Sequence, residues 1–260
     1  MQQLPGTAAL LATSAGNGYF HWLVDALPRL EILRKALPNE LGNIQKFVVN
    51  KGISIIKESL ETLNIPLDKL LFIDSRQHIQ FETLLVPSIP GVASIPRVNN
   101  QFPAWGFDFL RENFLPCKAN INPIPRLYIS RSKARYRRVQ NEEAVIQCLS
   151  KFGFTPVWLE EYDFATQIAL FSGAEVIISP HGAGLTNLIW CNLGTKVLEV
   201  FSPNYVNPCF WTIANQVGLE YFYIIGKGRR PPNLCDPYLV QDCIEVPIEE
   251  LEQGLEKLLK

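Results

Sequence analysis

Along this chain, short apolar runs of strand length alternate with stretches in which apolar residues recur every three or four positions. In the first half the pattern predicts a helix from about Tyr19 to Leu37, a strand at Phe47-Val48-Val49, and a helix near Ile53 to Leu63. Strands near Leu70-Leu71-Phe72-Ile73 and Ile79 to Val86 follow. From Arg126 the alternation is regular. It predicts a strand at Leu127-Tyr128-Ile129, a helix about Glu142 to Phe152, a strand at Pro156-Val157-Trp158-Leu159, and a helix about Phe164 to Ser172. Then come a strand at Val176-Ile177-Ile178, a helix Leu185 to Cys191, a strand Lys196 to Phe201, a helix about Phe210 to Val217 and a strand Tyr221 to Ile225. Apolar strands separated by helices of this length predict the α/β class, with a parallel sheet covered on both faces. The segment Ile248 to Leu259 is amphipathic and reads as a terminal helix packing back on the sheet.

Between the halves, prolines at 87, 90, 96, 103, 116, 123 and 125 leave room for one helix, around Ala104 to Asn113. This stretch is the expected boundary, giving lobes of residues 1–115 and 116–260. Two such lobes are expected to face a cleft at the carboxyl ends of their strands, where open α/β sheets place ligands. The first lobe reads as short and opens with a helix instead of a strand. That is the pattern of an abbreviated lobe or of a start that misses upstream sequence.

With 260 residues, 47% of them hydrophobic, the chain is long enough for one large core or two modest ones. Lys and Arg number 24 against 25 Asp and Glu, so no global field draws in nucleic acid or an anionic bilayer, and anion binding has to come from a local cluster. No run approaches the roughly 20 apolar residues of a membrane span. The segment Leu4 to Leu11 lacks a basic leader and runs into Gly16-Asn17-Gly18, so no signal peptide is expected. The six cysteines show no CxxC spacing and read as reduced, mostly buried thiols, with Cys235 and Cys243 as the pair in which a bridge is conceivable. Three histidines and no DxD give no support to a metal site, and Asp163, in Glu161-Tyr162-Asp163, reads as a helix N-cap.

Four constellations carry candidate chemistry. The run Ser179-Pro180-His181-Gly182-Ala183-Gly184-Leu185-Thr186-Asn187 leaves a strand through a small-residue turn and opens a helix. Such a turn points free backbone N–H groups and a positive dipole end at one spot, which suits a phosphate. Here His181 is placed to donate to phosphate oxygens, Gly182 and Gly184 allow close approach, and Thr186 and Asn187 in the first turn face the anion. The alternative is a tight turn capped by polar residues with no ligand. In Gly18-Tyr19-Phe20-His21-Trp22-Leu23-Val24-Asp25, His21 and Asp25 lie about 40° apart around a helix, so both project from one face. Most such pairs on helices are only surface hydrogen bonds, but Phe20, Trp22, Leu23, Val24, Leu27 and Leu30 make this helix largely buried, and there the pair is a candidate general base. Pro28 is expected to bend or break this helix.

Arg131, immediately after Leu127-Tyr128-Ile129-Ser130, is placed to clamp a diphosphate. The rest of its cluster, Arg126, Lys133, Arg135, Arg137 and Arg138, reads as a solvated loop. Finally, Glu199 inside the apolar Val197-Leu198-Glu199-Val200-Phe201 needs a partner, either a ligand hydroxyl or a cluster arginine. No GxSxG elbow accompanies the turn, which argues against an esterase.

Taken in order, Gly18-Tyr19-Phe20-His21-Trp22-Leu23-Val24-Asp25-Ala26-Leu27-Pro28-Arg29-Leu30 and Tyr128-Ile129-Ser130-Arg131 with Arg138 and Asn141-Glu142 form the first part of a pattern. With Pro180-His181-Gly182-Ala183-Gly184-Leu185-Thr186-Asn187 and Leu198-Glu199, it resembles glycosyltransferase family 61 over residues 16 to 202. The resemblance implies a GT-B fold of two Rossmann-like lobes, the N-terminal one on the acceptor side and the C-terminal one binding the nucleotide-sugar. It implies an inverting transfer from a nucleotide-sugar donor, usually UDP-linked, to a glycan or polysaccharide acceptor, without a required cofactor or metal. By position, Asp25 is then the base on the acceptor hydroxyl, with His21 supporting it or contacting the sugar. Arg131 and His181, Gly182, Ala183, Gly184, Thr186 and Asn187 hold the donor diphosphate, and Glu199 meets the ribose. Set against the resemblance, much of the usual region before Gly18, including the membrane anchor of eukaryotic members, is expected to be missing. A cytoplasmic protein is expected, with peripheral association at the inner face of the membrane as an alternative. Two other functions fit the same residues: a non-catalytic nucleotide-sugar-binding partner, and a nucleotide-sugar epimerase or hydrolase.

Overall fold

The computed structural model describes residues 2–74, 76–93, 100–229 and 242–259. The chain divides into two compact units, Met1–Cys117 and Lys118–Lys260. Each is a layered α/β structure around a parallel sheet.

The first unit opens with strand β1 (Gln2–Leu10), not with a helix as the pattern predicts. Pro5 and Gly6 interrupt its apolar run, which hides it from a periodicity reading. Its formation follows from pairing on both sides, with β2 (Lys46–Asn50) and β4 (Ile79–Leu85), while β3 (Leu70–Ile73) adds to β2. The sheet order is β3-β2-β1-β4, all parallel. The pairing of β1 with β4 shifts register between Leu4 and Thr7, where Gly6 takes φ +81° and its N–H donates to Glu82. The helices are α1 (Tyr19–His21), α2 (Arg29–Ala36), α3 (Ile55–Thr62) and α4 (Ala104–Phe114), and a short antiparallel pair joins β5 (Val92–Ala93) to β6 (Asn100–Gln101). The single helix expected over Tyr19 to Leu37 is three pieces. After α1 comes a π-helical turn, Trp22–Ala26, and Pro28 separates it from α2, as its missing N–H requires.

The second unit holds β7 (Arg126–Ile129), α5 (Glu142–Ser150), β8 (Thr155–Val157), α6 (Phe164–Ser172), β9 (Val176–Pro180), β10 (Lys196–Phe201), α7 (Cys209–Val217), β11 (Glu220–Ile225) and α8 (Ile248–Leu258). Its sheet runs β11-β10-β9-β7-β8, all parallel. The central β9 is buried throughout and β10 nearly so, which is why both read as continuous apolar runs. One face of this sheet packs Tyr128, Ile178, Leu198 and Val200 against Val145 and Leu149 of α5 and Leu251, Leu255 and Leu258 of α8. The expected helix Leu185 to Cys191 is instead a 3₁₀-helix, Ala183–Trp190, packed against α6 and α7. Likewise the strand expected to reach Leu159 ends at Val157, and Leu159–Glu161 forms a 3₁₀ turn. Asp163 caps α6 as expected, accepting from the Thr166 N–H at 2.8 Å.

In both sheets the strand order reverses beside the first strand. From β1 the chain builds outward to β2 and β3 and then returns to place β4 on the other side; from β7 it builds to β8 and then returns to place β9. Diverging connections at such a reversal leave a crevice at the carboxyl edge of the sheet. Cys148, Cys191 and Cys209 are buried thiols, Cys117 is exposed and Cys243 is partly buried and free; Cys235 lies outside the described residues. Among the described residues no helix is long and apolar enough to cross a membrane.

Candidate functional site

In the first unit the site residues lie on the connection leaving β1, next to the reversal point. Asn50, at the end of β2, fixes this connection: its side chain accepts from Thr13 N–H at 3.0 Å and donates to Thr13 O at 2.9 Å. A side chain at Gly16 would collide with Asn50. The π turn then widens the spiral, with Leu27 N–H bonding to Trp22 O at 2.8 Å. Single π turns are uncommon and recur at functional sites. Trp22 anchors it, fully buried, with its indole N–H donating to Ser59 of α3 at 2.9 Å. Arg29 anchors the far end. Its guanidinium is 4% exposed and donates to Ala12 O at 2.8 Å and twice to Pro87 O, while burial lowers its pKa.

Between these anchors His21 Nδ1 lies 2.6 Å from Asp25 Oδ2. Their side chains are 45% and 21% exposed respectively, so the pair stands at the protein surface with the imidazole outermost. A ring held at Nδ1 by a carboxylate directs Nε2 outward as the atom available to a substrate. Phe20, edge-on to His21 at 5.1 Å and to Phe102 at 5.6 Å, walls one side.

The second unit places its site residues at its own reversal point, on the loops leaving β7 and β9. Arg131 extends from the end of β7 so that its guanidinium rests against Gly182, where a Cβ would overlap it. Glycine leaves room for the guanidinium there, through the close approach and not through its backbone angle. Arg131 Nη2 donates to Tyr136 O at 2.9 Å, and its Nε is buried with no hydrogen-bond partner. Burial chiefly, with repulsion from Arg137, pulls the Arg131 pKa down to about 10. A buried guanidinium N–H left unpaired is costly and marks a position where an acceptor is favoured.

His181 follows β9, 4% exposed, with Phe201, Tyr205 and Phe210 around its ring. Its Nδ1 lies 2.5 Å from Glu199 Oε1. The other oxygen of Glu199 accepts from the Tyr221 hydroxyl, whose pKa is raised by burial and by that carboxylate. The protein partners of Glu199 are a histidine and a tyrosine, and not the cluster arginine that the sequence offered. Full burial with both oxygens occupied makes it a support for His181. Thr186 and Asn187 also depart from expectation. Both are fully buried, and the 3₁₀ spacing turns their side chains along the helix. Thr186 donates to Ala183 O, and Asn187 donates to Gly184 O and Gln167 while accepting from the Trp190 indole. Gly182, Ala183 and Gly184 remain as the positions offering backbone N–H groups at the head of the helix.

Of the basic cluster, Arg126 ties its guanidinium to Phe152 O at 2.5 Å, and Arg138 is exposed, its carbonyl accepting from Ile244 N–H. Arg137 departs from the solvated-loop reading. Its Nε donates to His181 O at 3.2 Å, and its guanidinium lies over the Tyr205 ring at 5.3 Å. Sequence reasoning also missed Tyr221, an alternate position on an edge strand with no motif around it. Among the described residues no three His, Cys, Asp or Glu side chains gather as a metal-ligand set.

One parallel-sheet unit thus presents a histidine–carboxylate pair and the other an arginine-backed glycine turn, in a protein of the α/β class. The family model for glycosyltransferase 61 matches residues 19–198, and the chain belongs to that family. It is 28% identical over 123 residues to an EGF domain-specific O-linked N-acetylglucosamine transferase of Drosophila melanogaster, covering 46% of this chain and 23% of that protein. Over 135 residues it is 30% identical to a beta-1,2-xylosyltransferase of Oryza sativa subsp. japonica, covering 45% of this chain and 25% of the relative. A protein O-linked-mannose beta-1,4-N-acetylglucosaminyltransferase 2 of Bos taurus matches at 30% over 133 residues, 46% of this chain and 23% of its own length. The matched stretch thus spans about a quarter of each of these relatives.

Proposed function

We propose that this protein is an inverting glycosyltransferase of the GT-B class, moving a sugar from a UDP-linked donor to a hydroxyl of a glycan or polysaccharide acceptor. The observation that carries the reading is the buried, unpartnered Nε of Arg131 against the Gly182 turn, at the strand-order reversal of the second unit. In the displacement, the acceptor oxygen attacks the anomeric carbon on the face opposite the diphosphate. As the bond to the leaving phosphate oxygen breaks, negative charge gathers on the diphosphate. Arg131 and the N–H groups of Gly182, Ala183 and Gly184 stabilise that charge from fixed positions, so little reorganisation is needed during reaction. His181, held by Glu199, supports the turn from below.

The acceptor must lose its proton. Asp25 already accepts from His21 Nδ1, and His21 is the more exposed of the two, so we assign the proton-accepting atom to His21 Nε2 and the orienting role to Asp25. This reverses the roles that the family resemblance implies. UDP-N-acetylglucosamine and UDP-xylose are the first donors to test, because relatives in the family are named for transfer of those sugars. With either donor and a panel of glycan acceptors, His21→Gln should abolish transfer. Asp25→Asn should lower kcat by about 100-fold or more while leaving KM for donor within about twofold. Absence of both UDP binding and donor turnover across the panel would refute the proposal.

A further inference from the structure

We infer that the groove between α2 and α4 of the first unit is a carbohydrate subsite, holding a sugar ring of the acceptor other than the one that receives the transferred sugar. The inference rests on the reading of the His21–Asp25 turn as the acceptor side of a glycosyltransferase.

Ile32, Lys35 and Ala36 are spaced three and four apart, so they share one face of α2. Opposite them Trp105 leaves the first turn of α4, and the space these side chains line is about 420 Å³. That volume falls among small-molecule sites, about 300–1,000 Å³, and is too confined for a protein partner, whose interface takes about 800 Å² a side. Trp105 is half-buried, and among the described residues its indole N–H has no hydrogen-bond partner. Trp22, Trp158 and Trp190, by contrast, spend theirs on Ser59, Ser132 and Asn187. An indole offers a broad apolar face and one polar edge, which matches a pyranose: the C–H groups pack on the ring while the hydroxyls reach polar groups at the border. The border supplies a donor and an acceptor. Lys35 Nζ stands 5.8 Å from the centre of the Trp105 ring and pairs with Glu31 at 3.4 Å.

The groove is continuous with the turn that carries His21 and Asp25. α2 begins four residues after Asp25, and Lys35 lies about 9 Å further along its axis. α4 rests on the same turn: a Cβ on Gly106 would lie 3.9 Å from the Pro28 side chain. Phe102, just before α4, meets Phe20 edge-on at 5.6 Å, and Phe20 meets His21 at 5.1 Å. An acceptor of several sugars, with its attacked hydroxyl at His21, has a further ring within reach of Trp105.

The test is steady-state kinetics on the full chain, with UDP-N-acetylglucosamine or UDP-xylose as donor. The acceptors are methyl α-mannoside, methyl β-xyloside and the di-, tri- and tetrasaccharide of each series. In the series that is glycosylated, the wild-type KM for the tetrasaccharide should lie at least about tenfold below that for the methyl glycoside. Trp105→Ala should cut this preference to below about twofold, through KM and not through kcat. Trp105→Phe keeps an aromatic face and should retain most of it. Ala36→Leu is the independent variant: it fills the groove from an exposed position that the fold does not depend on, and the same loss is expected. A length preference that survives in Trp105→Ala or Ala36→Leu, or that the wild type lacks, overturns the inference and leaves the acceptor site at His21 standing. Dissociation of an oligomer in Trp105→Ala, seen by light scattering with the preference intact, gives the groove to a second copy of the chain and overturns it too. No transfer to any of these acceptors overturns the inference; absence of UDP binding and donor turnover as well overturns the reading beneath it.

Discussion

Glu199 has no exposure to water, yet each of its oxygens bonds to a side chain from a different part of the sheet: His181 at the end of β9 and Tyr221 on β11. A carboxylate in that position is tolerable only while both partners stay. Removing it strands a buried imidazole N–H and a buried phenol, so Glu199→Ala should destabilise the second unit by about 3 kcal/mol, measured by urea unfolding. A loss below about 1 kcal/mol would show that the network is not structural. Gly182 makes the opposite case, a residue whose lack of a side chain makes room for the Arg131 guanidinium. In Gly182→Ala the new Cβ overlaps the Arg131 guanidinium, the movable end of a long side chain. The fold should survive and the guanidinium should shift. UDP affinity is expected to fall at least about tenfold, with the melting temperature nearly unchanged.

Among the elements, α6 depends on its first residue. Asp163 accepts from Thr166 N–H, and hydrogen bonding from the Thr166 side chain and then from that N–H holds its pKa below the ordinary 3.8. A depressed folded pKa means that the stabilisation is present above the unfolded value and disappears as pH falls through the folded one. Asp163→Ala should therefore cost about 1 kcal/mol near neutral pH, and the gap to wild type should close on acidification below 3.8. A gap independent of pH would mean that the carboxylate is not the cap. The cap was legible because its chemistry is local. The same holds for β9 and β10, whose burial on both faces writes itself as unbroken apolar sequence. The first strand was not legible, since Pro5 and Gly6 oppose it locally and only β2 and β4 on its flanks secure it. Nor was the helix type at Ala183–Trp190. Spacing gave the helix, but 3₁₀ winding stacks positions three apart. This is why Ala183 takes the Thr186 hydroxyl and why Asn187 lies between Gly184 and Trp190 instead of facing outward. His21 and Asp25 paired as their spacing indicated, while the π turn Trp22–Ala26, tied to α3 through the Trp22 bond to Ser59, has no signal in the local spacing.

For the whole molecule, 24 basic against 25 acidic side chains mean that an anionic donor is held by local geometry and not by a general field. The proposed ligands of the diphosphate all belong to the second unit, on the loops after β7 and β9, and those strands are among the most buried of its sheet. A ligand that binds only the folded form stabilises it by RT ln(1 + [L]/Kd), about 2.7 kcal/mol at 100 times Kd. Amides in β9 and β10 that exchange with solvent only when the unit unfolds should then exchange about 100-fold more slowly in saturating UDP. Hydrogen–deuterium exchange read by mass spectrometry measures this strand by strand. Peptides spanning 131–137 and 181–187 should gain protection at lower UDP concentration, because they touch the ligand directly. If UDP slows exchange elsewhere but leaves β9, β10 and these two loops unchanged, the nucleotide binds at another place and the site assigned to Arg131 and the Gly182 turn is wrong.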